Sequence, residues 1–186
     1  VCIGVPITLL VVGLIIWATR KRKPRLSYEP PEIEVETFQT PGVVPDLNAI
    51  ETAFLMGDSA KTITLIVMAL ERRGIVNVVN TSPLQMEILK PSEEMAVYEK
   101  ALVAAIQEDG TIDSAQIPAI LNAVASVVQP KMWNADPNAT RETYRKRIED
   151  ARREYEREWR EAPHTPPSPT LTDWIVLSHL GQHVGQ

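Results

Sequence analysis

The chain has 186 residues, of which 44% are hydrophobic and 23% charged, a mixture that excludes wholesale disorder and leaves room for one domain with attachments. The single cysteine, Cys2, excludes an internal disulfide and a cysteine-based zinc cluster, and all three histidines (His164, His179, His183) fall in the last 23 residues, outside the expected core. The net charge of −5 is uneven: residues 1–25 carry five basic groups and no acid, so the other 14 of 19 basic residues share residues 26–186 with all 24 acids. A phosphate backbone needs a basic face, so this acidic body argues against nucleic acid as a partner.

Residues 1–19 contain no charge. As a helix they would span ~28 Å, about one hydrocarbon core. The run ends in Arg20, Lys21, Arg22, Lys23 and Arg25, with Trp17 at interfacial depth. Basic residues after the apolar run, rather than before it, fit a transmembrane helix and not a signal peptide. The positive-inside rule then places residues 20–186 in the cytoplasm. The basic collar is expected to touch anionic headgroups, worth about 1 kcal/mol per residue. Val1 is not an initiator Met, so the chain is expected to be a piece of something longer, or processed.

Residues 20–45 hold Pro24, Pro30, Pro31, Pro41 and Pro45, which predict a stiff linker. Within it, Ile33 and Val35 alternate with Glu32, Glu34 and Glu36, as in a short edge strand. Residues 46–91 read as a winged-helix-like module. Asp46 is expected to cap a first helix through Leu47, Ile50 and Phe54, stopped by Gly57. A second, centrally buried helix starts at Asp58 or Ser59, carries Ile63, Ile66, Val67 and Leu70, and ends at Arg72, Arg73 and Gly74. Two strands follow, 75–80 and 84–89, joined at Thr81-Ser82-Pro83, with Leu84, Met86 and Ile88 on one buried face.

Residues 92–161 predict a helical extension. A helix capped by Ser92 buries Met95, Tyr98, Leu102 and Ala105 and breaks at Gly110. The next runs from Ile117 to Val128, with Gln129-Pro130 as its end and Met132 and Trp133 exposed beyond it. A long charged helix then starts at Asp136-Pro137 and continues to Glu161. Its narrow apolar stripe, Tyr144, Ile148, Ala151, Tyr155 and Trp159, has coiled-coil-like spacing. The preferred reading packs it along the two preceding helices. Residues 162–186 form a Pro-rich tail in which Trp174 heads a docking segment or one more turn of helix.

Several motifs fail on inspection. Asp109-Gly110-Thr111-Ile112-Asp113 looks like the middle of a calcium loop. Placing Gly110 sixth, however, puts Ala105, Gln107 and Gln116 where carboxylates are required. His179 and His183 share a helical face without a third ligand. Asn138-Ala139-Thr140 fits the glycosylation pattern but lies on the predicted cytoplasmic side. No phosphate cradle or nucleophile elbow occurs. The sequence therefore predicts no catalytic residue, no metal and no cofactor.

Pro41-Gly42-Val43-Val44-Pro45 leads into a short helix, and the next helix ends in Leu70-Glu71-Arg72-Arg73-Gly74-Ile75-Val76-Asn77-Val78. With the anchor before it, this stretch resembles bacterial predicted membrane proteins of the family called domain of unknown function 2207. There, a Pro-rich lead and a leader helix precede a helix closing in Leu-x-x-Arg-Gly and an apolar strand. The chain departs from that pattern in its charged final helix and in lacking a Gly/Ser-rich tail. The resemblance implies location and fold, and no activity.

The sequence thus predicts a mainly α protein with a small β-hairpin: an N-terminal transmembrane helix, a winged-helix-like cytoplasmic domain and a helical extension. The expected role is a protein-binding or assembly module at the bacterial inner membrane. Its expected partners are the bilayer and another protein or a second copy. Met132, Trp133, Tyr144, Ile148, Tyr155, Trp159 and Trp174 are the candidate contacts. The alternatives are a tethered regulator touching DNA through Arg72 and Arg73, or the C-terminal part of a larger membrane enzyme.

Overall fold

The computed structural model describes residues 39–90, 94–162 and 165–179. The candidate anchor, the basic collar, the 32–36 strand, Ser92 and His183 lie outside them. Among the described residues no helix is long and apolar enough to cross a membrane.

Six α-helices and one two-stranded hairpin make up the described part. Helix α1 spans Ala49–Leu55. Its cap is Asn48, not Asp46, because Asn48 has Glu51 three residues on. The Asn48 side chain accepts from the Glu51 N–H (2.9 Å) and the Glu51 carboxylate accepts from the Asn48 N–H (3.0 Å), a reciprocal pair worth about 1 kcal/mol. Gly57, at φ +77°, turns the chain, and Asp58 caps α2, Ser59–Arg72, by accepting from the Lys61 N–H. Gly74 ends it at φ +65°.

Strands β1 (Val76–Thr81) and β2 (Leu84–Ile88) pair antiparallel, with Val76 opposite Ile88 and Val78 opposite Met86. The register slips between Val78 and Asn80. Met86 is buried, but Ile88 is 42% exposed, so the inner face is shorter than the alternation predicts. Helix α3 covers Val97–Ala104 and begins later than a Ser92 cap would have it. Glu99 accepts from the Ala96 N–H, which sets the start by the same back-bond that Glu51 makes.

A loop and a 3-10 turn, Ser114–Gln116 capped by Asp113, lead to α4, Ile117–Met132. Pro130 does not end α4. It sits in the last turn, where its missing N–H costs only one bond of the ladder. One extra turn carries Met132 into the core, 3% exposed instead of free. Helix α5 spans Pro137–Glu161 and α6 spans Pro169–His179. Leu65, Ile66, Leu70, Leu102, Ile120, Leu121, Val124 and Val128 form the centre of the core. Each contributes about 1.5–3 kcal/mol by burial. Helix α4 packs on α3 and α1, whereas α5 packs chiefly on α6 rather than along α3 and α4.

Candidate partner-binding surface

The apolar stripe on α5 changes character along its length. Tyr144, near the root, is buried. Its hydroxyl donates to the Pro45 carbonyl (2.9 Å) and accepts from the Leu47 N–H (2.6 Å). Its ring stacks on Trp174 of α6, with centroids 6.0 Å apart and planes 9° from parallel. The Arg147 guanidinium lies 4.5 Å from the centre of the same indole, a cation–π contact. Trp174 is therefore 5% exposed and is an internal anchor of the fold. The tail segment forms an eleven-residue helix, longer than the single further turn expected, because its apolar residues find a buried seat.

Farther along, Ile148 and Tyr155 are half-buried, and Trp159 is 53% exposed. Tyr155 and Trp159 meet with ring centroids 6.1 Å apart. On the opposite face of the helix Asp150, Arg153, Glu154, Arg157 and Arg160 line an open depression of about 530 Å³. Trp133, at the other end, caps α4 and is 49% exposed. From the first residue of α5 to Trp159 is 22 residues, about 33 Å along a helix. The seven predicted contact residues are thus not one surface. Met132 belongs to the core, Tyr144 and Trp174 to an internal junction, Ile148 and Tyr155 to the half-buried flank of the core, and Trp133 and Trp159 to two separated exposed regions.

Sequence reasoning passed over the charged groups that hold α6. Arg72 donates to both Asp173 carboxylate oxygens (2.7 and 2.9 Å) and to the Pro169 carbonyl. Lys61, 6% exposed, donates to the Leu177 carbonyl (2.8 Å) and pairs with Asp58 (3.1 Å). The neighbouring Arg73 pairs with Glu99 and bonds the Glu94 carbonyl. Both arginines considered for phosphate contact are therefore engaged by carboxylates. The only hint in the sequence was the Asp173-Trp174 pair, and nothing local connects it to residue 72.

The hairpin carries a second depression, about 410 Å³, between Val79, Ile88 and Ile106, with Glu87, Glu108 and Asp109 among its walls. Asp109 there is occupied with its own turn. Its carboxylate accepts from the Thr111 hydroxyl and N–H, which hold it below the usual carboxylate range. Asp113 caps the following turn, so this loop is the helix–helix connection that its failed ligand pattern implied. Among the described residues no three His, Cys, Asp or Glu side chains are grouped to hold a metal ion. No family model, curated protein or solved structure matches the chain.

Proposed function

We propose that this chain is a membrane-anchored protein-binding and assembly module without catalytic chemistry of its own. In this reading residues 1–19 hold it in the bacterial inner membrane and residues 20–186 face the cytoplasm. The single observation that carries the binding role is the outer end of α5. There, Tyr155 and Trp159 form a ring pair, and Trp159 is 53% exposed. Trp, Tyr and Arg are the residue types that dominate interface energetics, and an aromatic pair at the surface is stabilised by a partner that dries it. The charge-free opening run and its basic collar support the membrane part. The helix–helix–hairpin order of α1, α2, β1 and β2 is compatible with a winged-helix-like module. DNA binding gains no support, since Arg72 and Arg73 would first have to leave Asp173 and Glu99.

Photocrosslinking in membranes from a probe at position 159 tests the module. A discrete crosslinked partner, reduced at least tenfold by Trp159→Ala with the melting temperature unchanged, is the expected result. No adduct from 159 or 133, or adducts indifferent to the substitution, would rule it out. Protease accessibility of α5 in inside-out but not right-side-out vesicles tests the topology.

A further inference from the structure

Helix α6 is bound as one protein binds a helix from another. A Pro-rich stretch, including Pro166 and Pro167, separates it from α5, and Pro169 is its first residue. It buries Leu171, Trp174 and Leu177, three residues apart and so on one face. That is the anchor pattern of an amphipathic helix laid in a groove. The groove lies between α2, α1 and α5.

Cations read this helix at three levels. Near its start, Arg72 grips Asp173 in a two-pronged bond and reaches the Pro169 carbonyl. At its middle, Arg147 lies over the Trp174 ring, which also stacks on Tyr144. In its last turn, Lys61 bonds the Leu177 carbonyl, where the helix dipole is negative. Pro169 to Leu177 is eight residues, about 12 Å of helix, so Arg72 and Lys61 measure a length as well as a sequence. Their placement stands out against the charge of the molecule. Of the 14 basic residues after position 25, eight are in α5, and two of the remaining six, Lys61 and Arg72, line this groove.

We propose that the groove is a receptor site for an amphipathic helix of another protein, one with an acidic residue directly before a Trp and Leu three residues to either side. Helix α6 occupies it in cis and competes with that partner. This rests on the protein-binding reading and gives its partner a chemistry. The α6 contacts are made by side chains and two carbonyls, all of which a helix of the same pattern supplies equally. Displacing α6 also takes from α5 its chief packing neighbour, so occupancy of the groove and the position of α5 are coupled.

The test uses the full chain in nanodiscs and a fluorescent peptide with the sequence of residues 165–179, read by anisotropy. Asp173→Arg in the chain unlocks α6 without removing a core ring, and Trp174→Ala is the second unlocking variant. Each is expected to bind the peptide at least tenfold more tightly than wild type. Adding Arg72→Asp to the Trp174→Ala chain is expected to weaken binding at least fivefold, and a peptide with Arg in place of its Asp to recover it. Equal binding by wild type and both unlocked chains, no binding by unlocked chains that keep native helicity, or indifference to Arg72→Asp would each overturn the proposal. A wild-type dimer dispersed by the peptide would overturn the assignment to another protein and make a second copy the occupant. Because the probe is the chain's own sequence, it can succeed while crosslinking from position 159 finds nothing, and the reverse.

Discussion

Gly110 shows what one residue carries in this structure. Its φ is +81°, and a β-carbon there would stand 2.7 Å from the Met86 carbonyl oxygen. The Gly110 carbonyl in turn accepts from the Met86 N–H at 2.8 Å. Gly110→Ala should therefore combine left-handed strain with a backbone clash and cost about 2–4 kcal/mol. The shift in urea midpoint measures it, and a cost below about 0.5 kcal/mol would contradict the close approach. Glu51 makes a different test. It is 2% exposed, and Lys131 meets both its oxygens at 2.7 Å. Lys131→Met should cost more than the Glu51→Gln/Lys131→Met pair, because the single change strands a buried carboxylate. A double-mutant cycle with no coupling would refute this. Asp136 accepts from Ala139, Gly42 and Asn138 N–H groups, which hold its carboxyl below the usual range. A lowered native value gives stability that is present above the unfolded value near 3.9 and lost as pH falls through the native one. Protection of the Ala139 amide should accordingly drop on acidification in wild type and change less in Asp136→Asn, measured by hydrogen exchange. Tyr98 has the opposite sense. Burial, with the Glu99 and Glu51 charges, pushes its hydroxyl up, so its share of stability fades as pH rises past about 10. A glycine stop at 110 was legible because composition marks it. Met86, twenty-four residues earlier, was not, since only the folded chain brings them together.

Among the elements, those with local signals were legible and those set by distant partners were not. The helix ends at Gly57 and Gly74, the Asp58, Asp113 and Asp136 caps, and the hairpin turn all follow from neighbouring residues. Helix α4 outran its predicted end because the core accepts Met132, and a proline in a last turn is cheap. Helix α3 starts at Val97, where Glu99 accepts from the Ala96 N–H. The stripe on α5 was visible, but not its partner, since Trp174 comes from across a proline-rich stretch. Three buried anchors, one partly exposed ion pair and the Lys61 bond must offset the ordering of eleven residues at about 1–2 kcal/mol each. Helix α6 should therefore exchange its amides well before α2 and α4 do in native-state hydrogen exchange. Simultaneous exchange of all three would show that it is an integral layer.

At the scale of the whole molecule, most of the basic residues after position 25 sit on one helix, interleaved with seven acids. Helix α5 gathers eight basic residues while the rest of the acidic body keeps few, and it ends in the exposed Trp159 about 33 Å from its root. This separation of root from tip was implicit in the helix length. Which face the tip presents was not, because that depends on where α6 begins. The root itself is a joint. The Thr40 N–H bonds the Asn134 carbonyl, the Asp136 N–H bonds the Val43 carbonyl, the Asp136 carboxylate accepts from Gly42, and the Tyr144 hydroxyl spans Pro45 and Leu47. Tension applied to the chain at residue 39 would load these bonds before any core contact. It would reach Trp174 directly through the Tyr144 ring, so a mechanical pull from the amino-terminal side is wired to the seat of the last helix.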